Sequence, residues 1–165
     1  MKEKAEKNKL LIGIILVLCI VILGGVIYFM KQKDQNPDSA FKPDLDSNAA
    51  AMEQGDGEDE PDGIRIPGYP SITIDADTTD VKMNLMNPEG NPCYFTFEII
   101  LSDTNETIYT SKMVEPGKAI TNVTLKHGLE AGEYPAVIRI TTASLEDGSA
   151  MNGANVETTL VVQQQ

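Results

Sequence analysis

Residues 95–101 read FTFEIIL. Phe95, Phe97, Ile99 and Leu101 alternate with Thr96, Glu98 and Ile100. Successive side chains of a strand point to opposite faces, so a two-residue period of apolar positions predicts a strand with one face in a core. A helix would place its apolar residues three and four apart instead. The same period returns on both sides of this stretch. Upstream, residues 71–76 (SITIDA) read as a first strand, and Val81, Met83 and Leu85 alternate with Lys82 and Asn84. The run 87–92, NPEGNP, is a turn cluster. Downstream, residues 103–106 (DTNE) turn the chain into a strand over 107–114, and Pro116-Gly117 precedes another over 119–125. Residues 133–141 place Ala136, Ile138 and Ile140 on one face, and Val156, Thr158, Leu160 and Val162 mark the last strand.

Seven short strands over about a hundred residues, with no helical stretch, predict an all-β domain. The expected architecture is a single seven-stranded antiparallel sandwich of the Ig-like or fibronectin-III-like kind. The run 129–136, LEAGEYPA, has the character of the approach to the sixth strand of such a sandwich. There a tyrosine, here Tyr134, closes a corner by bonding its hydroxyl to upstream backbone. Ala136 stands where an antibody domain has its second cysteine, so the core holds without a disulfide.

Before the domain lies residues 10–30, LLIGIILVLCIVILGGVIYFM, a run of 21 residues without a charge. As a helix at about 1.5 Å per residue it matches a bilayer core. Its end, Val26-Ile27-Tyr28-Phe29-Met30, lacks the small residues of a signal-peptide cleavage site. Four lysines lie in residues 1–9, against Lys31 and Lys33 just beyond the run. Positive flanks stay inside, which predicts a cytoplasmic tail over 1–9, a transmembrane helix over 10–30 and an extracytoplasmic C-terminal part in the cell membrane. Residues 31–63 are polar, acidic and unperiodic, which predicts a disordered tether ahead of a domain over 64–165.

Charge narrows the function. The net charge is −12, with both the tether and the domain acidic. That argues against nucleic acid, whose phosphates need a basic patch. Cys19 lies in the apolar run and Cys93 in the domain, so they are not expected to pair, and Cys93 beside Tyr94 and Phe95 reads as a small core hydrophobe. His127 is the single histidine, and no orienting motif joins it to Cys93 as a catalytic pair. Asp75, Asp77 and Asp80 read as the outward face and turn of an edge strand before they read as calcium ligands. No phosphate loop or zinc spacing is present, so neither cofactor nor metal nor small-molecule substrate is expected.

Five short motifs add a resemblance. Ile66-Pro67-Gly68-Tyr69, Asn87-Pro88 with Cys93-Tyr94-Phe95, Glu115-Pro116-Gly117-Lys118, Leu129 with Gly132-Glu133-Tyr134, and Met151-Asn152-Gly153-Ala154 resemble a family of small surface proteins of Gram-positive, Firmicute-type bacteria. The resemblance covers residues 64–162 and, loosely, the anchor. It implies an N-terminal span, an acidic linker and one sandwich domain. Its motifs mark turns and core, and it carries over no catalytic residue.

The expectation is therefore a non-catalytic, membrane-anchored binding or scaffolding module, an accessory of a cell-envelope or conjugation-type assembly, with a protein partner close to the membrane. The alternative is a carbohydrate- or peptidoglycan-binding module, which the absence of Trp weakens. On such a scaffold the loops carry function. The longest is 144–155, SLEDGSAMNGAN, expected at the same end as the 87–92 turn. Tyr69, Asn87, Asn91, Leu145, Met151 and Asn152 are the expected contact residues.

Overall fold

The computed structural model describes residues 41–52 and 63–164 and, apart from them, only Ile22, which is helical. The cytoplasmic tail, the transmembrane helix and the rest of the tether lie outside the described residues. Among the described residues no helix is long and apolar enough to cross a membrane.

Eight strands form two sheets: β1 (Ala49–Ala51), β2 (Ile72–Asp75), β3 (Asp80–Asn87), β4 (Cys93–Leu101), β5 (Glu106–Thr110), β6 (Lys118–Thr124), β7 (Gly132–Ser144) and β8 (Ala150–Gln163). One sheet has the order β1-β6-β3, the other β2-β8-β7-β4-β5. The core lies between them. Phe95, Phe97 and Ile99 of β4 meet Ile138 and Ile140 of β7, Leu160 of β8, and Val81, Leu85, Ile120 and Val123 of the smaller sheet in one buried cluster. Each such side chain contributes about 2 kcal/mol through removal from water. Phe95 and Phe97 also pack edge to face, with centroids 5.9 Å apart.

Three features differ from the sequence expectation. The first is pairing direction. β2 runs parallel to β8, with Ile72 opposite Leu160 and Asp75 opposite Gln163, so the sheets are not wholly antiparallel. Alternation along a strand carries no information about which neighbour it meets or in which direction.

The second is the tether. Residues 41–52 are folded onto the domain, and the chain divides between Ala40 and Phe41. β1 pairs antiparallel with β6, Ala49 opposite Ile120 and Ala51 opposite Lys118. Ahead of it, Asp46 accepts bonds from the Lys112 and Asn48 backbone N–H groups, both at 2.9 Å. The Asp46 N–H donates to the Met113 carbonyl at 2.8 Å, and the Met113 N–H returns to Asp44 at 3.0 Å. Phe41 stacks at a tilt on Tyr94, centroids 6.0 Å apart, and lies over Gly148, where a Cβ would collide with its ring. The segment is held by backbone ladders, which polar composition does not reveal.

The third is the longest loop. Only residues 145–149 connect β7 to β8, and Ala150 to Asn155 already belong to β8. Ile140 pairs with Ala154 and Thr142 with Met151, so Asn152 and Gly153 together oppose Thr141 alone. This is a β-bulge, and its Asn152-Gly153 pair lies within the polar stretch 144–155 that reads as a loop in sequence. The Thr142 hydroxyl donates to the Asn152 carbonyl at 3.1 Å. Gly153 backs onto the Ile140 carbonyl so closely that a Cβ would collide with its oxygen. Gly153→Ala should therefore destabilise the domain by about 1–3 kcal/mol in urea unfolding through overpacking. Gly63→Ala, with nothing within 4 Å of its added Cβ, should stay within about 0.5 kcal/mol of the parent protein.

Candidate functional site

The smaller sheet has its own irregularity. On β3, Lys82 pairs with Asn122 of β6 and Leu85 with Ile120, so Met83 and Asn84 together face Thr121 alone. A bulge of this kind bends its strand and re-aims a side chain. Lys82 and Asn84 are exposed on β3, as are Thr121 and Asn122 on β6. The segment before β2 stands opposite them. Pro67, Tyr69, Pro70 and Ile72 on that side, with Lys82, Asn84, Met86 and Asn122 on the other, enclose a cleft of about 650 Å³. That is the size range of ligand sites.

The position of the facing segment follows from buried amides. Asn87 is wholly buried and Asn91 is 2% exposed. The Asn87 Nδ2 donates to the Cys93 and Val114 carbonyls, both at 2.9 Å. Its Oδ1 accepts from the Asn91 Nδ2 at 2.8 Å. Asn91 passes the chain of bonds on. Its Nδ2 donates to the Arg65 carbonyl at 2.9 Å and its Oδ1 accepts the Arg65 N–H at 2.8 Å. Arg65 is thus clamped on both sides of its backbone, and its guanidinium donates to the Glu89 carbonyl at 2.6 Å. Four residues on, the Met86 N–H donates to the Tyr69 hydroxyl oxygen at 3.1 Å. Burial pushes the Tyr69 phenol up to about 12.

The expected contact residues therefore separate into two groups. Tyr69, Asn87 and Asn91 are interior, and their polar atoms are used by the fold. Leu145 and Met151 are exposed, 42% and 38%, and Asn152 is exposed beside them on the β7–β8 hairpin. The Leu145 N–H donates to the Pro92 carbonyl at 3.4 Å, which brings this hairpin against the 87–92 turn. Tyr134 donates its hydroxyl to the Glu130 carbonyl at 3.1 Å, four residues upstream. A second, smaller cleft of about 340 Å³ lies at the β8 bulge between Arg139, Gly153 and Asn155. Arg139 is already engaged with Glu98 at 3.2 Å.

Lys82, Asn84, Met86 and Asn122 were not singled out from the sequence. Their outward phase on β3 and β6 was readable, but the cleft also needs a facing wall. Pro67 and Pro70 supply it, because neither has an N–H with which to zip onto β3.

The cleft carries few ionisable groups. Among its lining residues there is no Asp, Glu, His or Cys, and its ionisable groups are Lys82 and the Tyr69 phenol. Cys93 is buried, with its thiol pushed up by desolvation. Both ring nitrogens of His127 are taken, one by Glu106 and one by the Gly128 carbonyl, each at 3.0 Å. Among the described residues no cluster of three His, Cys, Asp or Glu could hold a metal ion. No protein-family model, curated protein or solved structure matches the chain.

Two variants test this network. Asn87→Ala removes the interior bonds that the Cys93 and Val114 carbonyls and the Asn91 amide make to its side chain, and should cost about 2–4 kcal/mol in urea unfolding. For Tyr69 the expected outcome depends on pH. Its phenol lies above the ordinary value of 10 in the folded state, so the fold favours the neutral form. That contribution is complete below about pH 10 and is lost as pH rises through about 12. Tyr69→Phe should lower stability near pH 7 by about 1 kcal/mol, for the unpaired Met86 N–H. It should also flatten the alkaline decline, measured as unfolding midpoints between about pH 8 and 11. Tyr109, likewise pushed up to about 12 by burial and by Asp46, keeps the decline from vanishing.

Proposed function

We propose that the protein is a non-catalytic, membrane-anchored binding module whose folded domain stands outside the cell membrane and engages a protein partner through the β3–β6 cleft. The observation that carries this reading is the cleft's composition: apolar walls, amides, one lysine, and neither a general acid nor a general base able to work near neutral pH. The 21-residue uncharged run and the lysine asymmetry around it support the anchor and its orientation. The motif resemblance supports a Gram-positive envelope setting, as an accessory of an envelope or conjugation-type assembly.

The strand order supports an Ig-like reading of the two sheets. The sequence of neighbours β8-β7-β4-β5, with β6 and β3 in the facing sheet, corresponds to the GFCC′ and BE strands of that fold. β2, parallel beside β8, takes the place of a first strand that has switched sheets. β1 takes the position beside β6 that the fourth strand fills in an Ig constant-type sheet.

A carbohydrate-binding module is the second reading, favoured by Asn84, Thr121 and Asn122, whose amides and hydroxyl suit sugar hydroxyls. Sugar sites stack their ligands on open aromatic faces. Here the one cleft aromatic, Tyr69, is 8% exposed, and protein binding is the better-supported function.

The test is capture with the full chain in detergent micelles, run beside a glycan panel. A protein partner retained by the parent chain and lost with Lys82→Glu is the expected result. Selective sugar binding with no protein retained would overturn it. Topology has its own measurement: Ser149→Cys on the exposed hairpin turn should label with an impermeant maleimide in intact cells, and protection from it would place the domain on the other side.

A further inference from the structure

We propose that the free edge of β3 accepts an extended peptide segment of the partner as an added strand, with one carboxylate of that segment set against Lys82. This rests on the binding-module reading and names the chemistry of what is bound. β3 ends the order β1-β6-β3, and among the described residues no strand pairs with its far side. It is also long, at eight residues. An edge of that length, with no strand along it, is a template for another strand.

The segment that runs past this edge does not fill it. Its prolines at 67 and 70 cannot donate to a ladder, and its one bond to the edge is through a side chain, the Tyr69 hydroxyl on the Met86 N–H. The cleft left between is where the added strand lies. Met86 and Ile72 offer apolar contact for alternate side chains of that strand, which is the periodicity a strand presents. The bulge at Met83 and Asn84 interrupts the regular repeat and fixes register against Thr121.

Charge selects the ligand. Lys82 is the single cationic residue of the cleft lining, and no acid accompanies it. The chain as a whole carries −12. The overall field favours a segment that is neutral or basic, while the local lysine favours one carboxylate within it.

The probes are three capped heptapeptides: Thr-Val-Thr-Asp-Thr-Val-Thr, its counterpart with Lys in place of Asp, and the Asp peptide N-methylated along its backbone. Each is titrated into isotope-labelled full chain in detergent micelles and followed by backbone amide shifts. The Asp peptide should shift the amides of Lys82, Asn84 and Met86, and backbone N-methylation should weaken it by about tenfold or more, since strand addition uses those N–H groups. Lys82→Glu, an exposed change that leaves the spectrum of the folded domain in place, should weaken the Asp peptide about tenfold and reverse the preference towards the Lys peptide. Equal binding of the N-methylated peptide, shifts that map to another face, or no shift with any peptide at millimolar concentration would each overturn strand addition. If a captured protein partner persists while the peptides fail, the binding module stands and this inference falls. If the peptides bind at β3 and no partner is captured, the inference stands and the broader reading must change.

Discussion

One buried amide sets the geometry on which the rest depends. Asn87 closes β3 in the smaller sheet, yet its Nδ2 bonds the Cys93 carbonyl at the start of β4 in the larger one. The same nitrogen bonds Val114, on the crossing from β5 to β6. Beside it Phe95 and Val114 exchange two backbone bonds, 3.0 and 2.7 Å. Hydrophobic contact is non-directional, so the apolar core alone would let two sheets slide over one another. A wholly buried amide does not permit this, because each lost partner leaves an unsatisfied group in the interior. Asn87 therefore fixes the relative position of the sheets at this end. Through Asn91 it also fixes Arg65, and with it the segment that walls the cleft.

The two clefts at Lys82 and at Arg139 lie where a strand carries one residue more than its neighbour. On β3 the surplus falls at Met83 and Asn84, on β8 at Asn152 and Gly153. A regular ladder presents a smooth pleated face, and an extra residue locally breaks the pairing and turns the strand. The two bulges differ in what they leave free. At β8 the irregularity is consumed internally: Thr142 bonds the Asn152 carbonyl, Gly153 lies against Ile140, and Arg139 is held by Glu98. At β3 the outward side chains Lys82, Asn84 and Asn122 face open space.

The all-β class was legible because burial on one face imposes a two-residue period, and 95–99 shows it before Ile100, itself buried, breaks the alternation. The buried residues of β4 and β7 follow it: Phe95, Phe97 and Ile99 in one, Ala136, Ile138 and Ile140 in the other. What the period omits is partnership. It did not reveal the parallel β2–β8 pair, nor that Ala49, Ala50 and Ala51 would find β6. Short alanine stretches in an acidic segment bury little, and their order comes from backbone bonds to a strand far away in sequence. Three of the candidate contacts lie inside for a related reason. Asparagine and tyrosine in a turn cluster suggest solvent, and at Asn87, Asn91 and Tyr69 their polar atoms instead satisfy buried backbone and one another. In a sequence the two uses of an amide look alike.

The edges of the two sheets set β3 apart as the strand where the proposed recognition would fall. Each sheet has two ends, and three of the four strands there are brief: β1 has three residues, β2 four and β5 five. Brevity by itself makes an edge a poor template for another strand. β3, at eight residues, has no such protection. Instead it carries a lysine pointing outward, a bulge in mid-strand, and a proline-bearing segment close by, three devices that discourage edge-to-edge pairing. None of them closes the edge. Tyr69 covers one N–H with a single side-chain bond, and the prolines stand off it. Against a second copy of a chain at −12 the long-range field adds repulsion. A strand from a partner of different charge meets no such barrier and finds Lys82 as an attraction. In the proposed strand addition the long-range field thus disfavours a second copy, while Lys82 favours a strand that carries one carboxylate.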